Sequence, residues 1–101
     1  MSEYILTEEA ERDLNEIWEY IAAESINSAD SVVREIREGI ELVAFAPGIG
    51  HQRRDVRDRR YRFWKANRFI IAYFRDTRPL QIVRIVGATR DFRKIFRKSR
   101  K

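Results

Sequence analysis

Apolar side chains keep helical spacing as far as Val43 and fall into strand-like runs after Gly50, and this change of period dictates the fold class. In the first part, Ala10, Leu14, Ile17, Trp18 and Ile21 recur at intervals of three and four, with Glu11, Arg12, Glu16 and Glu19 on the opposite side. Thr7 stands before Glu8 and Glu9, an N-cap followed by acidic residues where the helix dipole favours them. A second stripe, Ala29, Val32, Val33, Ile36, Ile40 and Val43, predicts a second helix, with its cap expected at Asn27 or Ser28. Pro47, Gly48 and Gly50 stop it. The short link over residues 24–27 implies an antiparallel helical hairpin.

Residues 3–6 read as an opening strand, and the later stretch supplies three more. HQRRDVRDRR is polar and predicts a loop or a frayed edge strand. YRFWKA is a strand, Asn67 a turn, and RFIIAYF is apolar enough for a central strand. Asp76, Thr77, Arg78 and Pro79 form a second turn before LQIVRIVG. DFRKIFRKSRK ends the chain as a short basic helix with Phe92, Ile95 and Phe96 on one side. The expected architecture is α+β: an N-terminal strand, then an antiparallel helical hairpin on one face of a small, mainly antiparallel sheet, then the basic helix. Strict alternation puts Leu80, Ile82, Arg84 and Val86 on one face of the last strand. One helical layer leaves the other face of the sheet uncovered, and Arg62, Trp64 and Arg84 are expected to point there toward a partner.

A chain of 101 residues makes one domain, residues 1–101, with a basic tail over about 92–101. With no cysteine it has neither disulfides nor thiolate-bound metal, and a single histidine makes a zinc site improbable, so no cofactor or metal is expected. The longest apolar run, FIIAYF, is far short of the roughly 20 residues a bilayer span requires. The acidic N-terminus is unlike a secretory or transit peptide, so a cytoplasmic location without membrane contact is expected.

Charge is divided along the chain. Residues 1–46 hold three Lys/Arg and twelve Asp/Glu, net −9, whereas residues 47–101 hold eighteen and four, net +14. The basic part also carries eight of the twelve aromatics. Arg53, Arg54, Arg57, Arg59, Arg60 and Arg62 form one cluster; Arg90, Arg93, Lys94, Arg97, Lys98, Arg100 and Lys101 form another. Guanidinium forks suit phosphates and carboxylates, so the basic part fits a polyanion or an acidic protein segment. The segment is favoured, because no nucleic-acid motif accompanies the charge.

No strong catalytic constellation stands out. Gly48 and Gly50 follow a helix without the lysine and serine of a phosphate-binding loop. No serine neighbours the histidine, and proton transfer by His51 needs a positioned partner that the sequence does not show. Glu8, Glu9, Glu11, Asp13, Glu16 and Glu19 are read as a mostly solvated face that supports the helix and solubility.

The order and wording of the segments resemble the RelE/ParE superfamily of toxins from bacterial type II toxin–antitoxin systems, and ParE more than RelE. The resemblance spans about residues 3–96. Its carriers are Tyr4 and Thr7 ahead of EEAERDLNEIWEYIA, then SADSVVREIREGIELVAFAPGIG, YRFWKANRFIIAYFRD and LQIVRIVGATRD. It implies a single-domain toxin held inactive by a cognate antitoxin, ParD-like or similar, whose acidic C-terminal segment with apolar anchors wraps along it. ParE-like members poison DNA gyrase; RelE-like members cut messenger RNA in the ribosome. RelE-like nucleases resemble one another in an arginine three positions before the central-strand tyrosine. Here that tyrosine matches Tyr73, and Ile70 stands in the arginine's place. Their C-terminal tyrosine or histidine is matched by Ile95 or Phe96, which transfer no proton. Many ParE-like chains end the last strand with His-Gly-Ala-Arg-Asp; here Gly87, Ala88, Thr89, Arg90 and Asp91 keep the Arg-Asp pair without the histidine. These departures favour gyrase inhibition with no catalytic residue. The alternatives are a ribosome-dependent endoribonuclease and a basic nucleic-acid-binding module without toxicity. Arg62, Trp64, Arg84, Arg90, Phe92 and Phe96 are the expected partner-contact residues.

Overall fold

The structure, a computed structural model, describes residues 3–97. Strand β1 (Tyr4–Leu6) leads into helix α1 (Glu8–Ala22) and helix α2 (Ile26–Phe45). A 3₁₀ turn at Pro47–Ile49 and a long polar loop precede β2 (Tyr61–Ala66), β3 (Phe69–Phe74), β4 (Leu80–Gly87) and the short helix α3 (Phe92–Ile95). The sheet order is β1-β4-β3-β2; β1 runs parallel to β4 and the other pairs are antiparallel. The α+β architecture expected from the period change is the one found.

Local chemistry sets the element ends. The Thr7 hydroxyl accepts from the Ala10 N–H at 3.1 Å and donates to the Val83 carbonyl at 2.8 Å, so one side chain caps α1 and ties it to β4. The α2 cap is Ser25, which accepts from the Ser28 N–H at 3.1 Å, rather than Asn27 or Ser28. The hydroxyl two residues earlier reaches the free amides of the first turn, and the helical link shortens accordingly. Asn67 takes φ 60°, a left-handed conformation that asparagine tolerates, and closes the β2–β3 hairpin.

The helical hairpin covers one face of the sheet. Ile36, Ile40 and Val43 of α2, with Ala10 and Leu14 of α1, pack on Ile71, Tyr73, Leu80, Ile82 and Ile85. Gly39 permits the close approach: a Cβ there would lie 2.9 Å from Ile71 Cδ1 and 3.0 Å from the Ala66 Cβ.

The second face is not open, contrary to expectation. Val56 of the polar loop and Phe92 and Phe96 at α3 close it over Phe63, Ile70, Ala72 and Val86. Aromatic rings dominate this smaller core. Phe63 meets Phe96 edge-on at 5.4 Å and Phe92 at 6.0 Å, and Tyr61 meets Phe96 edge-on at 4.9 Å. The chain therefore supplies its own cover from segments with no long periodic stripe.

The alternation expected for the last strand also fails, at a bulge. Ala72 pairs with Arg84 and Tyr73 with Ile82, leaving Val83 as an extra residue. Past it the facing switches. Leu80, Ile82 and Ile85 belong to the helix-side core and Val86 to the aromatic one.

Candidate functional site

The residues expected to meet a partner divide among three places. Arg62 and Trp64 stand on β2 and, against expectation, on the helix side: Trp64 packs against the helix-side core, with its ring close to Gly39. The cause is strand parity, since Phe63 turns into the aromatic face and its neighbours turn the other way. Trp64 stacks on His51, with centroids 6.3 Å apart and planes at 23°. Arg62 spends its guanidinium on the carbonyls of Arg59 and Tyr61, at 3.0 and 3.2 Å.

Phe92 and Phe96 are buried in the aromatic core, 1% and 7% exposed, so their rings hold the fold together. The Arg53 guanidinium covers the outer side of Phe92 at 3.8 Å from the ring centroid. It also grips Asp55 with two hydrogen bonds of 2.9 Å. That hydrogen bonding holds the Asp55 carboxyl below the usual carboxylate range.

Arg84 and Arg90 come together in one groove. Beyond Leu6, β1 no longer covers the edge of β4, and α1 passes alongside. The resulting cleft, about 620 Å³, has Ile17, Ile21, Phe69 and Ile85 along its walls and Tyr20 at its rim, 84% exposed. Arg84 pairs with Asp13 of α1 through two hydrogen bonds, 2.7 and 3.1 Å. Asp13 also accepts the outward Ile85 N–H at 2.9 Å, satisfying an edge amide that β1 does not reach. Hydrogen bonding from Asp13 raises the Arg84 pKa above its ordinary value, with burial opposing. Asp13 is thus a structural clasp rather than one more solvated carboxylate. Arg90 is exposed at the other end of the groove, where Asp91 caps α3 and the Arg90 N–H donates to the Gly87 carbonyl at 3.0 Å.

Sequence reading missed Asp13 and Tyr20. Tyr20 carried a signal: it is a large apolar ring off the α1 stripe, on a helix whose stripe is already complete. Asp13 carried none, because its partner lies 71 residues away.

The central-strand tyrosine, Tyr73, is engaged within the fold. The Tyr73 hydroxyl donates to the Pro47 carbonyl at 2.7 Å and accepts from the Gly50 N–H at 3.0 Å. Burial raises its pKa. A Cβ at Gly50 would lie 2.3 Å from that oxygen, so the tyrosine pins the loop only because residue 50 is glycine. His51 is exposed, and its backbone bridges to Phe63. Among the described residues no group of three or more His, Asp or Glu side chains converges as for a metal ion, and no helix is long and apolar enough to cross a membrane.

Fold and groove together describe an α+β domain with a helical hairpin on a mixed sheet and an open cleft at the uncovered sheet edge. The model of the ParE toxin of the type II toxin–antitoxin system parDE matches residues 4–98, and the chain belongs to that family. Its backbone is similar to a chain of the chromosomal ParDE toxin–antitoxin system from P. aeruginosa, with a TM-score of 0.70. The similarity covers 86% of this chain and 96% of that one at 21% identity, and it speaks to the fold. No curated protein matches the sequence.

Proposed function

We propose that this ParE-family chain arrests growth by poisoning DNA gyrase and is held inactive by a cognate, ParD-like antitoxin in the cytoplasm. Family membership carries the toxin reading. The observation that carries the partner reading is the groove between α1 and the bare edge of β4. Its apolar walls suit the anchors of a peptide, the exposed Tyr20 gives a large ring to cover, and Arg90 at the rim suits an acidic side chain.

Arg90, Arg84, Arg62 and Trp64 are the proposed partner contacts, with Tyr20 added. Phe92 and Phe96 act on partners by holding α3, and with it the Arg90 turn, against the sheet. Antitoxin affinity is expected to fall at least tenfold in Arg90→Glu, with the melting temperature unchanged; equal affinity by calorimetry removes Arg90 from the contact surface.

The deciding experiment incubates purified gyrase and relaxed plasmid with the protein, with and without antitoxin. The reading predicts loss of supercoiling or trapped cleaved DNA, relieved by antitoxin. Unaffected gyrase in the presence of folded protein contradicts it.

A further inference from the structure

We infer that the face formed by α3 and the loop before β2 binds the phosphate backbone of duplex DNA directly, at a site separate from the α1–β4 groove. Four cations from two distant segments, Arg57 of the loop and Arg93, Lys94 and Arg97 around α3, line one open pocket of about 390 Å³. All four are exposed. Among the described residues, none of these four side chains makes a hydrogen bond or ion pair within the chain. Two carboxylates share the pocket, and both are engaged: Asp55 with Arg53 at 2.9 Å, and Asp91 with the Lys94 N–H that it caps at 3.3 Å. Four exposed cations beside two carboxylates that already have partners leave the pocket with an excess of positive charge, which favours an external polyanion.

The absence of exposed apolar surface selects the class of polyanion. The large exposed hydrophobics among the described residues are Ile5, Tyr20, Ile26, Leu42 and Phe45, all ahead of Pro47. The α3 face has turned Phe92 and Phe96 inward, 1% and 7% exposed, so it offers an acidic peptide no large exposed ring to pack against. A phosphate backbone needs no such anchor, because charge neutralisation and counterion release supply the affinity without sequence readout. The anchoring is rigid: Phe92 and Phe96 clamp α3, and Arg53 bridges Phe92 and Asp55, which holds the loop side against the helix side.

Fluorescence anisotropy with a mixed-sequence duplex of about 20 base pairs, in the absence of gyrase and antitoxin, tests this independently of the gyrase reading. The full chain is expected to bind in the micromolar range near 50 mM salt, with log K falling with log salt at a slope of about 3–4, roughly 0.9 per neutralised phosphate. Arg57→Gln/Arg93→Gln/Arg97→Gln is expected to weaken binding at least tenfold and to flatten the slope by about 3. The charge-matched Arg12→Gln/Arg34→Gln/Arg37→Gln variant, altered on the helices, is expected to keep the slope within about 1 of the full chain. Circular dichroism establishes that both variants fold. Failure of the full chain to bind, equal loss in both variants, or tighter binding of polyglutamate than of the duplex each overturns the assignment.

Discussion

The two faces of the sheet are built by different means. The helix side rests on two helices of 15 and 20 residues, whose aliphatic stripes interlock with β3 and β4. The other side rests on a loop residue, Val56, and a helix of four residues, which close over the sheet with Phe92 and Phe96. Aliphatic packing on the first face needs long periodic elements to bring many small side chains into register. Two or three aromatic rings bury comparable area per residue and need only correct placement, so a short segment suffices. The exposed apolar groups border the helical side, and the cations of the α3 pocket border the aromatic side.

The largest expected effect breaks the aromatic face. Phe92→Ala removes a ring that is 1% exposed and meets Phe63 and Phe96, and is expected to cost about 3–5 kcal/mol in denaturant unfolding. A cost below about 1 kcal/mol, in the range of a surface substitution, makes that face dispensable and ends the comparison. On the helix side, Ile36→Val is expected to cost only about 0.5–1.5 kcal/mol, since the cavity is one methyl group.

Tyr73→Phe sharpens the comparison at the helix-side turn. It leaves the Pro47 carbonyl and the Gly50 N–H without their shared partner, at about 1–3 kcal/mol. Its pH dependence has a definite sign. The folded-state pKa of Tyr73 is raised above the ordinary value near 10, so its contribution is complete below that value. The contribution is lost as pH rises through the folded pKa. Tyr61 shifts in the same direction, again through burial, so alkaline stability should fall less steeply in Tyr73→Phe than in the parent but not become flat. Identical alkaline profiles contradict the assignment.

Asp13→Ala removes the acceptor of three hydrogen bonds at the sheet edge, two from Arg84 and one from the Ile85 N–H. About 1–3 kcal/mol is expected, together with faster hydrogen exchange at the Ile85 amide; unchanged exchange there separates Asp13 from the edge. Thr7→Ala is expected to cost about 0.5–2 kcal/mol, read from thermal melts, because water can replace part of the cap.

The same contrast explains what was legible beforehand. The helices, β2, β3, β4 and the short basic helix followed from periodicity and turn residues, because each is a local pattern. The facing of Trp64 and the cover over Phe63 did not, because they depend on how Val56, Phe92 and Phe96 return to the sheet from outside it. The bulge at Val83 changed the parity of β4 in mid-strand, and its neighbours Ile82 and Arg84 are neither glycine nor proline. The same limit held for the site: Arg84 and Arg90 were named as contacts without the groove that unites them, because the Asp13 clasp is a long-range contact. Lys98, Arg100 and Lys101, part of the second basic cluster, lie outside the described residues.

Thermal unfolding of a chain ending at Asp91, beside the full chain and one ending at Arg97, tests most directly whether the second face is closed by the α3 segment. Loss of Phe92 and Phe96 should remove at least the 3–5 kcal/mol of the single ring, lowering the melting temperature by about 12 °C or more, at roughly 4–8 °C per kcal/mol for a domain of this size. The chain ending at Arg97 keeps both rings and should melt well above the one ending at Asp91. A chain ending at Asp91 that melts within about 4 °C of the parent contradicts the two-core account.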